Sequence, residues 1–189
     1  LPVLVICTVT AGTDRKITEK NVGGINLVYI SPGIFIMGKE DEKKDYHPPR
    51  TVRISKGFWI GKFEITQKQY FNTTGTNPCS GSRYGEGDSF PVYNVSWYDA
   101  VYFCNMLSKR NGLKPYYEIN GKDSDDENKS MNDDIKREVA VNKKANGFRL
   151  LTEAQWEYAC RAGTSTDFYW GKNSSWDVSG KYAWHMFNS

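Results

Sequence analysis

The chain has 189 residues, of which 39% are apolar and 14% aromatic, so it can bury the core of one globular domain. Its net charge of +3 is spread along the chain, which excludes the clustered basic surface of a nucleic-acid-binding protein. No apolar run is long enough to span a membrane, and the 4 cysteines form no C-x-x-C pair. A zinc site of the usual spacing and a disulfide framework are therefore excluded as well.

The first 24 residues form a segment distinct from residues 25–189. Leu1 to Gly12 is apolar and uncharged, which is typical of the end of a secretory signal, and Val9 and Ala11 fit a small-residue cleavage site. The alternative is an ordinary first strand. Either way, a polar connector is expected between Thr13 and Gly24. The signal interpretation favours a periplasmic, surface or secreted location over a cytoplasmic one.

Short strands are predicted in several places by alternating apolar residues. LVYIS and GIFIMG alternate around Ser31-Pro32-Gly33, which predicts a hairpin-like pair. TVRIS and FWIGKFEI are predicted as two more strands joined at Lys56-Gly57. Further strands are expected at PYYEI and over residues 138–148, leading into Arg149.

Three helices are predicted, and each begins with a hydroxyl residue followed three positions later by a polar residue. This arrangement can satisfy the free N–H groups at a helix start. The pairs are Thr66 with Gln69, Ser96 with Asp99, and Thr152 with Gln155, and the helices are expected to end at Gly75, Gly112 and Gly163.

Two loops contain residues of the types found in ligand-binding loops. Gly85-x-Gly87 follows no strand and opens no helix, so a phosphate-binding loop is not expected. Residues 120–134 contain 6 acidic residues, but the glycine and the final glutamate of an EF-hand do not fall into register. A solvated loop is the better interpretation of this insertion than a calcium site.

Glu153 and Glu157 lie one helical turn apart and could form an acid–base pair. The simpler interpretation is structural. Glu153 stabilises the helix start, and Glu157 pairs with Arg149 or Arg161. A metal site on the two histidines, His47 and His185, is not expected, because metal sites usually need three or four ligands.

Cys104 and Cys160 are the candidate thiol pair, and each falls on an apolar helix face. Buried packing is the expected role, since no histidine or basic cluster stands nearby to activate a thiol. Four tryptophans could form a ligand-binding aromatic set or could pack in or near the core, and packing is favoured. They are Trp97, Trp156, Trp170 and Trp184.

Four segments in order carry a resemblance to a known family. They are GIFIMG, FWIGKFEITQKQY, PVYNVSWYDAVYFCNMLSKRNG and RLLTEAQWEYACRAG. Together they resemble the formylglycine-generating enzymes, or sulfatase-modifying factors, which have a variant of the C-type-lectin-like fold. The resemblance implies an α+β fold with short strands and two or three main helices. Its structural motif falls on Trp97, Asp99, Arg149, Thr152, Glu153, Trp156, Glu157, Trp170 and Gly171. Leu151 and Gln155 replace the family's usual proline and glutamate.

Active members of that family oxidise a sulfatase cysteine to formylglycine, using copper, molecular oxygen and two active-site cysteines. In the family those cysteines follow the four segments quoted, around an R-G-G-S-W segment, and no catalytic or metal-binding residue carries over to a position in this chain. Copper and calcium are therefore expected only of a complete active member. Cys104 and Cys160 match cysteines that pair with the C-terminal half in some secreted members, and here they are half-cystines without partners or reduced core thiols.

The resemblance thus implies the N-terminal portion of an oxygen-dependent oxidoreductase domain, inert by itself. The alternative is a non-catalytic, lectin-like module that binds a protein or peptide. If the family's core is built from both halves, the helices of residues 25–189 should leave an apolar face uncovered, and such a face is a candidate interaction surface.

Overall fold

A computed structural model describes residues 6–8, 18–39, 48–82, 84–120, 135–172 and 175–182, with only the backbone described for residues 6–8 and 176–177. The chain divides into two compact units. Unit 1 comprises residues 1–30 and 57–150, and unit 2 comprises residues 31–56 and 151–189. The acidic insertion from residue 121 to 134 lies outside the described residues, as do His47, Trp184 and His185.

The described elements are short. The strands are β1 (Ile6–Thr8), β2 (Glu19–Val22), β3 (Ile25–Ile30), β4 (Gly33–Met37), β5 (Arg50–Ile54), β6 (Phe58–Gly61), β7 (Tyr117–Ile119), β8 (Val139–Val141) and β9 (Phe148–Leu150). The helices are α1 (Gln67–Thr74), α2 (Trp97–Arg110), α3 (Glu153–Arg161) and α4 (Trp176–Ser179). The part of the chain that is described therefore has the α+β composition expected from the sequence.

Unit 1 is built on an antiparallel sheet with the strand order β2-β3-β6-β1-β9. Ile6–Thr8 lies between β6 and β9, as the first-strand alternative expects. β2 and β3 form a tight hairpin in which Val22 pairs with Ile25. Its turn needs two positive φ angles, which Gly23 (+61°) and Gly24 (+80°) supply. Part of the expected polar connector is therefore an edge strand.

The predicted hairpin between LVYIS and GIFIMG is wrong. β3 pairs with β2 on one edge and with β6 on the other, so neither edge remains for β4. β4 pairs instead with β5, from Gly33 opposite Ile54 to Met37 opposite Arg50. The two alternating runs belong to different sheets, and Ser31-Pro32 is a connection rather than a hairpin turn.

The predicted strand over residues 138–148 is also wrong, because two strands occupy this range. β8 pairs with β7, and β9 pairs with β1. Between them the chain turns at Asn142, whose side-chain oxygen accepts from the Lys144 N–H and whose carbonyl accepts from the Ala145 N–H. An asparagine that bonds its own backbone favours a turn over a continuous strand.

The two helices of unit 1 start as the sequence predicts. Thr66 and Ser96 form complete capping boxes with Gln69 and Asp99. α2 packs against α1 and β9, and Phe103 stacks on Tyr70 of α1 with ring centroids 5.2 Å apart. The core of unit 1 gathers around this helix. Its fully buried side chains include Leu27, Phe58, Ile65, Val101, Phe103, Cys104, Leu107 and Phe148.

Polar side chains of α2 fix the strands beside it. Asn105 brackets β7, because its Nδ2 donates to the Tyr117 carbonyl at 3.0 Å and its Oδ1 accepts from the Tyr117 N–H at 3.2 Å. Ser108 Oγ accepts from the Phe148 N–H at 2.8 Å and donates to the Cys104 carbonyl at 2.7 Å. These hydrogen bonds satisfy backbone groups of β7 and β9. Within the described residues, no strand provides a partner for those groups.

Unit 2 consists of the β4–β5 ribbon, α3, α4 and the turns after α3. Thr152 caps α3 in a box with Gln155, and the left-handed residues Ala162 and Gly163 end it. The inner face of the ribbon rests on α3, with the rings of Phe35 and Tyr158 5.3 Å apart. Unlike α2, α3 contains no buried residue.

Candidate functional site

The outer side of α3 presents apolar side chains to solvent. Trp156 is 54% exposed, and Cys160, one turn later on the same side, is exposed as well. Packing was expected for both residues, and these two expectations are wrong. Trp97 of unit 1 is 45% exposed, but its ring packs edge-on against the buried Tyr98 and Tyr117, as near-core packing predicts. The uncovered apolar face predicted for the helices is present on α3 but not on α2, where 8 residues are buried.

An aromatic turn follows α3 in the chain. Phe168 and Gly171 exchange two backbone hydrogen bonds, of 3.0 and 2.9 Å, and Gly171 has a φ of +122°. The Trp170 ring stacks between Phe168, at 4.7 Å, and Tyr182, at 5.0 Å. Tyr169 packs edge-on against Trp170 and Tyr182. The predicted packing role of Trp170 is therefore confirmed, as one ring of an aromatic stack.

Cys160 of α3 interacts electrostatically with Tyr169 of the aromatic turn. Partial desolvation raises the pKa of the Tyr169 phenol, and the neighbouring Cys160 and Tyr182 add to the increase. We name Trp156, Cys160 and Tyr169 the α3 surface. It is an apolar and aromatic patch whose residues come from one helix and one turn of unit 2.

A charged pair on α3 holds the end of β4. Arg161 contacts Glu157 Oε1 through Nε at 2.9 Å and through NH2 at 2.6 Å. The same Oε1 accepts from the Gly38 N–H at 2.9 Å, and Arg161 NH2 donates to the Gly38 carbonyl at 3.2 Å. Arg149 and Arg161 were the candidate partners of Glu157, and in the structure Glu157 pairs with Arg161. Glu157 is thus a structural residue, and Glu153 is an exposed residue of the first turn.

Cys79, Cys104 and Cys160 form no disulfide in the structure. Cys104 is fully buried in α2, as predicted. Cys79 is buried too; its Sγ accepts from the Tyr93 N–H at 3.2 Å, and desolvation raises its pKa. Desolvation also raises the pKa of Cys160, opposed by Arg161 and assisted by Glu157. The thiols of Cys79 and Cys160 should therefore be protonated at neutral pH, unlike those of catalytic cysteines.

Thiol labelling should separate the described cysteines. We expect 5,5′-dithiobis(2-nitrobenzoate) to modify Cys160 in the folded protein, and Cys79 and Cys104 only after unfolding. Because the pKa of Cys160 is raised, its labelling should be slower at pH 8 than that of an unperturbed thiol and should accelerate above pH 9. Mass-spectrometric mapping assigns the modified site, with Cys160→Ser as the control. Rapid native labelling of Cys104 would contradict the buried core of unit 1.

The motif residues of unit 1 also have structural roles. Asp99 caps α2, with its Oδ2 accepting from the Ser96 N–H at 3.0 Å. Arg149 is buried in β9, donates to the Leu150 carbonyl at 2.7 Å and lies over the Tyr116 ring at 5.6 Å. Trp97 contacts Tyr98 edge-on. None of these side chains forms a group with nucleophile and base within the described residues.

Metal ligands are not grouped in the described part of the chain: no three His, Cys, Asp or Glu side chains there could hold one ion. A pocket of about 340 Å³ beside β7 and β8 is lined by Glu118, Glu138 and three further residues. Two carboxylates are fewer protein ligands than a bound metal ion usually has.

Among the described residues, no helix has the length and apolarity needed to cross a membrane.

Comparison with known proteins supports the resemblance. Residues 14–189 match the family described as sulfatase-modifying factor enzyme 1-like domain. Chaperone protein LppX of Paenibacillus barcinonensis is 41% identical over 166 residues, which cover 87% of this chain and 54% of LppX. The chain thus spans about half the length of this curated relative.

Solved structures show the same fold. Treponema denticola variable protein 1 superposes with a TM-score of 0.68 at 29% identity, covering 88% of this chain and 63% of that one. CarF superposes with a TM-score of 0.50 at 30% identity, covering 74% and 57%. PvdO from Pseudomonas aeruginosa, at 22% identity and a TM-score of 0.50, covers 79% and 55% and supports the fold alone. The chain belongs to the sulfatase-modifying factor enzyme 1-like family, the family of the formylglycine-generating enzymes.

Proposed function

We propose that this protein binds an apolar segment of another polypeptide through the α3 surface, and that residues 1–189 do not by themselves oxidise cysteine. One observation carries the proposal: α3 is an amphipathic helix without a buried residue, and its Trp156 is 54% exposed. Tryptophan is enriched among the residues that dominate binding energy at protein interfaces. An exposed tryptophan next to an aromatic turn is a surface that another polypeptide could cover.

The similarity to LppX agrees with this proposal. LppX is called a chaperone protein. Chaperones contact apolar segments that folding has not yet buried, and an exposed aromatic patch can bind such segments by removing apolar area from water.

The described side chains do not fit the metals of the active family members. Two of the three described thiols are buried, and the pKa of the third, Cys160, is raised, so they do not form an accessible thiolate pair for copper. No described group of three or more carboxylates, thiols or imidazoles could hold calcium or copper. The described residues therefore supply no step of the oxidation.

The family match favours a second candidate function. In this proposal residues 25–189 are the N-terminal portion of an oxidase domain, and the catalytic cysteines lie in sequence outside them. The support is the resemblance, which places the cysteines after the four shared segments. The reading frame beyond residue 189 discriminates the two candidates: two cysteines around an R-G-G-S-W-like segment favour the oxidase, and their absence favours the binding module.

A binding titration tests the first proposal. Fluorescein-labelled, reduced and carboxymethylated α-lactalbumin serves as a permanently unfolded client. We expect Trp156→Ser to weaken binding about tenfold, because an interface tryptophan commonly contributes more than about 1.4 kcal/mol. Phe63→Ser is the matched control, since Phe63 is 62% exposed but belongs to unit 1. Equal affinity of the Trp156→Ser variant and the unmodified protein would contradict the proposal.

A second assay tests the inactivity of the chain. The protein is incubated with copper, oxygen and a sulfatase-derived cysteine peptide, and the peptide is analysed by mass spectrometry. We expect no formylglycine. Formation of formylglycine would overturn the claim that residues 1–189 do not oxidise cysteine. It would not affect the binding claim, which the titration tests separately.

A further inference from the structure

The β4–β5 ribbon of unit 2 exposes an apolar face that the α3 surface does not include. Ile34 and Ile36 are 56% and 54% exposed, although β-strand isoleucines usually point toward a core. They alternate with Phe35, which packs against Tyr158 of α3. Within the described residues, β4 and β5 pair only with each other. An edge strand presents backbone N–H and C=O groups with which a further strand can pair.

The outer edge of β4 has backbone groups available for such a strand. The N–H of Gly38, the residue after β4, points away from β5, because it donates to Glu157 Oε1 at 2.9 Å. Backbone groups in an antiparallel strand alternate between its two edges, so the N–H and C=O groups of Ile36 and Ile34 face this same edge. Glu157 and Arg161 bond Gly38 at one end of the edge as a neighbouring strand would. No described strand continues this pairing along Ile36 and Ile34.

The charge beside the two isoleucines indicates the chemistry of the partner. Arg53 lies directly opposite Ile34 in the ribbon and is exposed. No acidic side chain of the described residues pairs with it. Arg50 lies opposite Met37, so it belongs to the other face of the ribbon. An incoming strand would therefore meet two apolar side chains next to a guanidinium that an acidic side chain could neutralise.

We propose that an extended polypeptide with apolar residues at alternate positions and an acidic residue beside them adds to the outer edge of β4 as a third strand. The backbone hydrogen bonds would supply affinity, and Ile34, Ile36 and Arg53 would select the side chains. The inference rests on the proposed function in taking a polypeptide as the partner, but it assigns a different site. A failure at one site therefore does not decide the other.

Peptides with a defined backbone test this mode of binding. The probe is fluorescein-labelled Thr-Glu-Thr-Val-Thr-Val-Thr-Glu-Thr, amidated at its C-terminus, in which the glutamates and valines share one face. It is titrated against the intact chain by anisotropy. N-methylation of one alternate set of residues should weaken binding about tenfold or more, because it removes the N–H donors that face β4, while methylation of the other set should leave binding unchanged. For antiparallel addition the sensitive set is the valines and glutamates, because the residue opposite Ile36 shares its face and its hydrogen-bonding edge.

Two variants locate the site. Arg53→Glu should reverse the charge preference, so that the same peptide with lysines in place of the glutamates binds more tightly than the original. Trp156→Ser should leave peptide affinity unchanged. No measurable binding, equal effects of both methylation patterns, or an unchanged charge preference in Arg53→Glu would each overturn the inference. Loss of peptide binding in Trp156→Ser would also overturn it and would assign the peptide to the α3 surface.

Discussion

Replacing Phe103 with alanine should lower the free energy of unfolding by about 3–5 kcal/mol. Phe103 is fully buried at the centre of α2, and its ring stacks on Tyr70 with an interplanar angle of 7°. Its removal loses apolar burial, the aromatic contact between α1 and α2, and the dispersion contacts around the cavity that remains. Because typical domains are stable by only about 5–15 kcal/mol, this single change should bring unit 1 near its unfolding threshold.

Urea unfolding followed by circular dichroism measures this effect. Phe71→Ala is the matched control, since Phe71 also belongs to a helix of unit 1 but is 48% exposed. It should change stability by less than about 1 kcal/mol. If the two variants were equally destabilised, the position of the core around α2 would be wrong.

The substitution Gly147→Ala should destabilise the protein by about 2–4 kcal/mol, although it adds only one carbon atom. A Cβ at residue 147 would overlap the Lys114 carbonyl oxygen and lie 2.5 Å from Ser108 Oγ. The Gly147 N–H donates to that carbonyl at 3.0 Å, and Ser108 Oγ accepts from the Phe148 N–H. Making room for the methyl group would therefore disturb the hydrogen bonds that hold β9 beside α2.

Gly81→Ala separates this steric effect from the general cost of replacing glycine. Gly81 has a φ of +72° but open space where a Cβ would stand, so backbone strain is its main cost, about 1–2 kcal/mol. Both variants can be compared by thermal unfolding. A smaller loss for Gly147→Ala than for Gly81→Ala would contradict the close approach of the chain at residue 147.

Helix starts could be predicted from the sequence because the interactions that fix them are local. Ser96 and Asp99 bond each other's backbone N–H groups across one turn, at 3.0 Å in both directions. The same reciprocal pair recurs at Thr66 and Thr152. Such boxes need only four consecutive residues, so the printed sequence contains all the information they require.

Strand pairing could not be predicted in the same way, since it depends on residues distant in the chain. LVYIS and GIFIMG alternate as hairpin partners would, yet β3 pairs with β6, about thirty residues later. One local signal was available and missed: Gly23-Gly24 between Val22 and Ile25 is typical of a two-residue hairpin turn. It would have placed β2 correctly.

Burial on α3 is a further property that the helical pattern does not determine. Trp156 and Cys160 repeat at the spacing of a core-facing stripe, and the sequence predicts packing for both. In the structure they are exposed, because within the described residues the ribbon covers only the side of α3 that carries Tyr158. Periodicity shows which side of a helix is apolar, but not whether another element covers it.

Site-specific photocross-linking tests the central claim most directly. Benzoylphenylalanine is placed at position 156 in one protein and at position 63 in another, and each is irradiated with unfolded, carboxymethylated α-lactalbumin. We expect a cross-linked product from position 156 that excess unlabelled client suppresses, and none from position 63. Equal cross-linking from both positions, or none from position 156, would contradict polypeptide binding at the α3 surface.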